Sequence, residues 1–88
     1  MTNEIVRFPT IHPPQVVLVH AETRTGIVLD ISGNRHVGLT QKYVIFDSRD
    51  AAEQYAIMTT AQNTEIECAI FDHNCAQLAL IRPSWVTE

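Results

Sequence analysis

The sequence predicts a two-layer α+β domain, β-β-β-α-β-β in order, with a five-stranded, largely antiparallel sheet and one main helix. Three observations predict it. Residues 15–20 and 26–31 are short β-branched runs of strand length. Residues 47–63 carry capping residues and small or apolar side chains at helical spacing. Residues 64–72 and 76–82 alternate apolar and polar positions around a short polar turn, the signature of a hairpin. With 88 residues the chain has room for one core, divided here into an extended arm (1–14), the domain proper (15–82) and a short tail (83–88). A chain of this size buries only about 60 to 65% of its unfolded surface, so association with another chain is a common source of added stability.

The arm contains Pro9, Pro13 and Pro14, which favour extended backbone over a helix or a ladder strand. It also carries Ile5, Val6, Phe8 and Ile11, more apolar residues than a solvated tail needs, so part of it is expected to lie against the body. In the first strand four successive apolar residues, Val16 to Val19, require cover on both faces. The second strand places Ile27, Leu29 and Ile31 on one face and Val28 and Asp30 on the other. Ser32, Gly33, Asn34 and Arg35 supply turn chemistry after it. A two-residue loop there opposes Ile31 to His36, whereas a three-residue loop opposes Ile31 to Val37 and Leu29 to Leu39; apolar matching favours the longer loop. A third strand, or two short ones, then runs from Val37 to Phe46.

Asp47 is placed to cap the helix, with Phe46 and Ala51 as a hydrophobic staple. At about 100° per residue Ala51, Ala52, Tyr55, Met58, Thr59 and Gln62 share one face, with Arg49, Asp50, Glu53 and Thr60 opposite. Asn63 suits a left-handed terminating position. In the hairpin Ile66, Cys68 and Ile70 alternate with Glu65, Glu67, Ala69 and Phe71, and Leu78 and Leu80 alternate with Gln77, Ala79 and Ile81. A three-residue loop, His73 to Cys75, opposes Leu78 to Ile70 and Leu80 to Cys68, which keeps Cys68 and Cys75 too far apart for a disulfide.

Composition excludes several functions. The formal net charge is −4, and the six basic residues are scattered singly, so no basic stripe exists to displace phosphate counterions and nucleic-acid binding is not expected. From Asp47 to Asp72 six acids face one base, Arg49, a distribution suited to a basic protein partner. No apolar run approaches the roughly 20 residues of a membrane span, and residues 1–14 lack the pattern of a secretory signal. A cytoplasmic location with both cysteines reduced is the expectation. Cys68, Asp72, His73 and Cys75 match no zinc spacing, and neither a metal nor a cofactor is expected. Asp30 and His36 flank one turn and Glu65 and Glu67 share a strand face, which permits acid/base work or cation binding, but no nucleophile elbow or phosphate loop accompanies them. No catalytic set is therefore assigned.

Coverage gives the positive argument. One helix roughly 10 Å across covers two or three strands of a five-stranded sheet, and the opposite face, with Phe71, Ala69, Ala79 and Ile81, is not polar. An uncovered apolar face points to a homodimer or a protein partner. The residues that the core does not explain, and hence the candidates for partner binding, are Ile57, Glu65, Glu67, Phe71, Ile81 and Trp85. The competing class is a small enzyme or ligand binder with a pocket between helix and sheet or at a dimer seam, using Asp30, His36 or the Glu65/Glu67 pair.

The block F-D-S-x3-A-x2-Y-A, followed by N-x-E-I-E-C-x-I-F-D and L-x-L, resembles a pattern in small bacterial strand-helix-strand-strand domains. Some of these lie beside toxin genes and are thought to be immunity proteins. The resemblance spans residues 46–80 and implies a fold. This chain departs from the pattern in the last turn, where Asp72-His73-Asn74-Cys75 replaces the more usual glycine.

Overall fold

The computed structural model describes residues 9–31 and 43–86. The elements are β1 (Val16–Glu22), β2 (Val28–Leu29), β3 (Tyr43–Phe46), α1 (Arg49–Gln62), β4 (Ile66–Phe71) and β5 (Gln77–Ile81), so the α+β class and the element order are as the sequence predicts. All strand pairings are antiparallel, and the sheet reads β2-β1-β4-β5, with β3 also on β1. The predicted turn at 32–35 and the pairings that involve His36, Val37 and Leu39 lie outside the described residues, as do Ile5, Val6 and Phe8.

The five strands do not lie side by side. Leu29 pairs with His20 and Tyr43 pairs with Val19, neighbouring rungs on the same border of β1. Thus β2 and β3 lie end to end, with residues 30–42 inserted between those two rungs. Among the described residues the sheet is four strands across, roughly 14 Å between its outer strands, so the helix has less to cover there than five adjacent strands would demand.

Paired residues share a face, which fixes the two layers. Val16, Leu18, Leu29, Ile66, Cys68 and Ile70 pack with Ala52 and Ala56 of α1, flanked by Phe46, Tyr55, Leu78, Ala79 and Ile81. On the far side Val17 and Val19 pack with Ile11, flanked by Val28, Tyr43 and Phe71. Ile11 reaches them because the chain reverses at His12–Gln15, where the Gln15 N–H donates to His12 O at 2.8 Å across a cis Pro13–Pro14 bond. Among the described residues of the arm, Ile11 meets the expectation that part of it lies against the body.

The helix starts one residue later than predicted. Ser48, in extended backbone, accepts the Ala51 N–H on its side chain, which displaces Asp47 from the capping role. Its buried face is Ala52, Ala56 and Thr60, with Tyr55 half-buried, whereas Met58 is 60% exposed. Two small alanines let the helix backbone approach β4, and Thr60 tolerates burial because its hydroxyl donates to its own Ile57 carbonyl at 3.2 Å. The predicted stripe, which put Met58 inside and Thr60 outside, is therefore rotated. Asn63 is not left-handed: its φ is −133°, and it ends the helix by accepting the Glu65 N–H on Oδ1 at 3.0 Å.

The β4–β5 loop has the predicted length. Asp72 N–H donates to Ala76 O, Cys75 takes the positive φ (62°) at which glycine is usual, and the Asp72 carboxylate accepts the Asn74 and Ala76 N–H groups at 2.8 and 3.0 Å. One rung later the register departs from the prediction. Phe71 pairs with Gln77 but Ile70 pairs with Ala79, so Leu78 is an extra residue in a bulge. That single residue turns Ala79 and Ile81 toward the helix and Leu80 to the far face, the reverse of the expected assignment. Both cysteines are free, Cys68 buried and Cys75 exposed.

If Ser48 is the cap, Ser48→Ala lowers stability by about 1 kcal/mol, read by denaturant unfolding, while Asp47→Ala has a smaller effect.

Candidate functional site

Each candidate partner-binding residue has a defined place, and the six do not form one surface. Phe71 lies on the far sheet face, half-buried beside the Ile11 cluster. Ile81 faces the helix core rather than solvent, as the bulge dictates. Ile57 is 58% exposed on α1. Together Ile57, Thr60, Ala61, Thr64, Ile81, Arg82 and Ser84 line an open groove of about 380 Å³ between the second half of the helix and the end of β5.

Glu65 and Glu67 were expected to share a solvated face, available as a carboxylate pair. Instead each has its own arginine. Glu65 accepts from Arg24 Nε at 3.0 Å, both side chains largely exposed. Glu67 is buried and accepts from Arg82 Nε at 3.1 Å, directly across β4 and β5. Arg24 also lies over the Trp85 ring, 4.9 Å from its centroid, and the indole N–H donates to Thr64 O at 2.6 Å. The Arg24, Glu65 and Trp85 side chains thus clasp the tail to the β1–β2 and α1–β4 loops, which accounts for Trp85 within the chain.

The structure brings together a polar cluster that periodicity did not predict. His20 is buried on the helix face of β1, and its Nε2 shares a 2.8 Å hydrogen bond with the Tyr55 hydroxyl. The two rings meet edge to face at 5.6 Å, and Phe46 packs against Tyr55 at 5.2 Å. His20 Nδ1 is buried without a hydrogen-bond partner. Burial holds the His20 pKa below its ordinary value, partly opposed by the nearby negative charge of Asp30, itself buried just past β2. A histidine in a run of apolar strand residues was the only sequence signal for this cluster. His36, the expected partner of Asp30, lies outside the described residues.

The other titratable groups follow their surroundings. Burial, and secondarily the adjacent Glu67 charge, pushes the Cys68 thiol up to about 12, so it remains a protonated core residue. The N–H groups of Ala76 and Asn74 hold the Asp72 carboxyl below its ordinary range. Among the described residues no group of three or more His, Cys, Asp or Glu side chains is placed to hold a metal ion. No helix among them is long and apolar enough to cross a membrane.

On the far face the exposed residues are both apolar and polar, with Gln77 on β5 and Arg82 just after it beside the apolar positions. Ile45 and Leu80 are 42% and 39% exposed, on either side of the area under Ile11, with Phe71 and Ala69 half-buried between them. Comparison of the chain with protein-family models, curated proteins and solved structures gave no match.

The His20 environment predicts a pH dependence of stability. The unfolded chain takes up a proton near pH 6.5 and the folded chain resists it, so stability falls as pH drops below that value. Denaturant unfolding of the wild type and of His20→Gln at pH 7.5 and pH 5.5 checks this, with the expected loss clearly smaller in the variant.

Proposed function

We propose that this is a non-enzymatic protein-interaction domain that receives another protein on the sheet face away from α1. One observation carries the reading: after Ile11 has covered Val17 and Val19, the same face still leaves Ile45 and Leu80 open next to half-buried Phe71 and Ala69. An apolar area of this kind on a small domain is a binding surface by default. The net charge of −4 favours encounter with a basic protein. Neutralisation of a toxin is the specific case that the resemblance of residues 46–80 suggests. The free thiols Cys68 and Cys75 suit a reducing cytoplasm.

The competing reading, a small enzyme or ligand binder, has less support. Among the described residues on which that reading relied, Asp30, Glu65 and Glu67 are absent from the walls of the groove beside α1. Glu65 and Glu67 are engaged separately with Arg24 and Arg82.

The test is capture from a native extract by the immobilised domain, compared with Ile45→Asp. The expected result is saturable binding of one discrete basic protein, weakened about tenfold or more by the substitution, with the circular-dichroism spectrum unchanged. Undiminished capture by Ile45→Asp contradicts the assignment of this face.

A further inference from the structure

The two borders of the sheet differ. On one side β2 and β3 share β1, so among the described residues no single strand runs along that border. On the other, β5 is the outermost strand among the described residues, and Gln77–Ile81 contains neither a charge nor a proline. Natural sheets block such a border with charge, proline or a bulge, because its unpaired N–H and C=O groups otherwise pair with another strand. Here the protection lies at the two ends of the strand, since Arg82 and Pro83 follow Ile81. The bulge lies at Leu78, and the Leu78 carbonyl accepts from Arg49 Nη2 at 3.2 Å. Ala79, Leu80 and Ile81 lie beyond both.

The helix is open in the same region. Ile57 and Met58 are large and more than half exposed, Ile57 at the groove and Met58 about 100° further round the helix, outside it. Ile57 forms one wall of the groove of which Ile81 and Arg82 form the other. The same groove therefore adjoins the unprotected stretch of β5 and an apolar helix surface.

We propose that two copies of the chain join at this border, with β5 antiparallel to its own copy about a two-fold axis near Leu80, and with the Ile57 surface of each helix meeting the other copy. A two-fold is favoured because an antiparallel strand border is complementary to itself: each N–H turned outward meets a carbonyl of the symmetric strand. Charge points to the same occupant. Most faces of a chain of net charge −4 oppose like charges when two copies meet, whereas Gln77–Ile81 is uncharged and the charged residue at the groove, Arg82, is matched within its own chain by Glu67 at 3.1 Å. Among the described residues Gln77–Ile81 offers no charge that selects an acidic or a basic partner and none that repels a copy. A ladder limited to Ala79–Ile81 falls short of the roughly 800 Å² per partner that stable interfaces bury. The helix residues beside the groove enlarge it on the same side. Leu80 borders both this contact and the sheet face proposed above, whereas Ile57 belongs to this contact alone and Ile45 to that face alone, so substitutions at those two positions test the proposals separately.

Sedimentation velocity over a wide concentration range, on the wild type, Ile57→Glu and Ile45→Asp, tests the arrangement. The expected result is a reversible dimer that Ile57→Glu weakens about tenfold or more and Ile45→Asp leaves intact. Both positions are exposed, so the variants fold, and unchanged circular dichroism checks it. A second measurement fixes the axis. In a Cys75→Ser background, Leu80→Cys is expected to give a disulfide-linked dimer on mild oxidation, and Ile45→Cys to give no disulfide-linked species. A strictly monomeric wild type at every concentration, or a dimer lost with Ile45→Asp and kept with Ile57→Glu, overturns the proposal.

Discussion

Everything in this fold depends on the run Val16 to Val19 in β1. Four successive apolar side chains on an extended strand point alternately to both faces, and all four are buried. Such a strand is stable only at the middle of a sheet with a layer on each side. The chain meets both demands. Strand β4 pairs along one border of β1, while β2 and β3 share the other, and β1 is thereby central. The helix covers Val16 and Leu18, and Ile11 covers Val17 and Val19. Among the described residues of the arm Ile11 supplies this second layer, and Ile45 and Leu80, exposed on the same face, belong to the surface assigned to a partner.

Size complementarity explains the rest of the packing. Leu18, Cys68 and Ile70 are fully enclosed beneath Ala52 and Ala56, so bulky sheet residues meet small helix residues and the two layers interlock. The polar groups at the rim of this core are held by partners distant in sequence. Tyr55 reaches His20, Arg82 reaches Glu67, and Arg24 reaches both Glu65 and Trp85. Each contact ties two elements together and removes a charged or aromatic side chain from the set available for outside chemistry.

The class, the element order and the loop of the final hairpin were legible in the sequence, because β-branched runs, a capped helix and a polar three-residue turn are local signals. What escaped depends on choices that local signals leave nearly balanced. Asp47 and Ser48 are both good caps, and the geometry of the entering strand selects Ser48. Thr60 reads as polar yet is buried, since its hydroxyl is satisfied inside its own helix. The bulge at Leu78 adds one residue with no glycine to announce it, and so exchanges the faces of Leu80 and Ile81. The end-to-end placement of β2 and β3 depends on an insertion between adjacent rungs, which no periodicity reveals. For the site, the Glu65/Glu67 pair looked available only because Arg24 and Arg82 are invisible as its partners until the fold brings them close. His20 reads as a strand end in sequence and becomes a buried polar group only when Tyr55 packs over it.

The central claim is that β1 needs its second layer and that Ile11 provides it. Equilibrium unfolding of Ile11→Ala tests this most directly. A loss of about 2 to 4 kcal/mol, the usual cost of removing a fully packed Ile side chain, is the predicted result. A loss within about 0.5 kcal/mol, typical of a surface position, contradicts it and leaves Val17 and Val19 to be covered by something other than the arm.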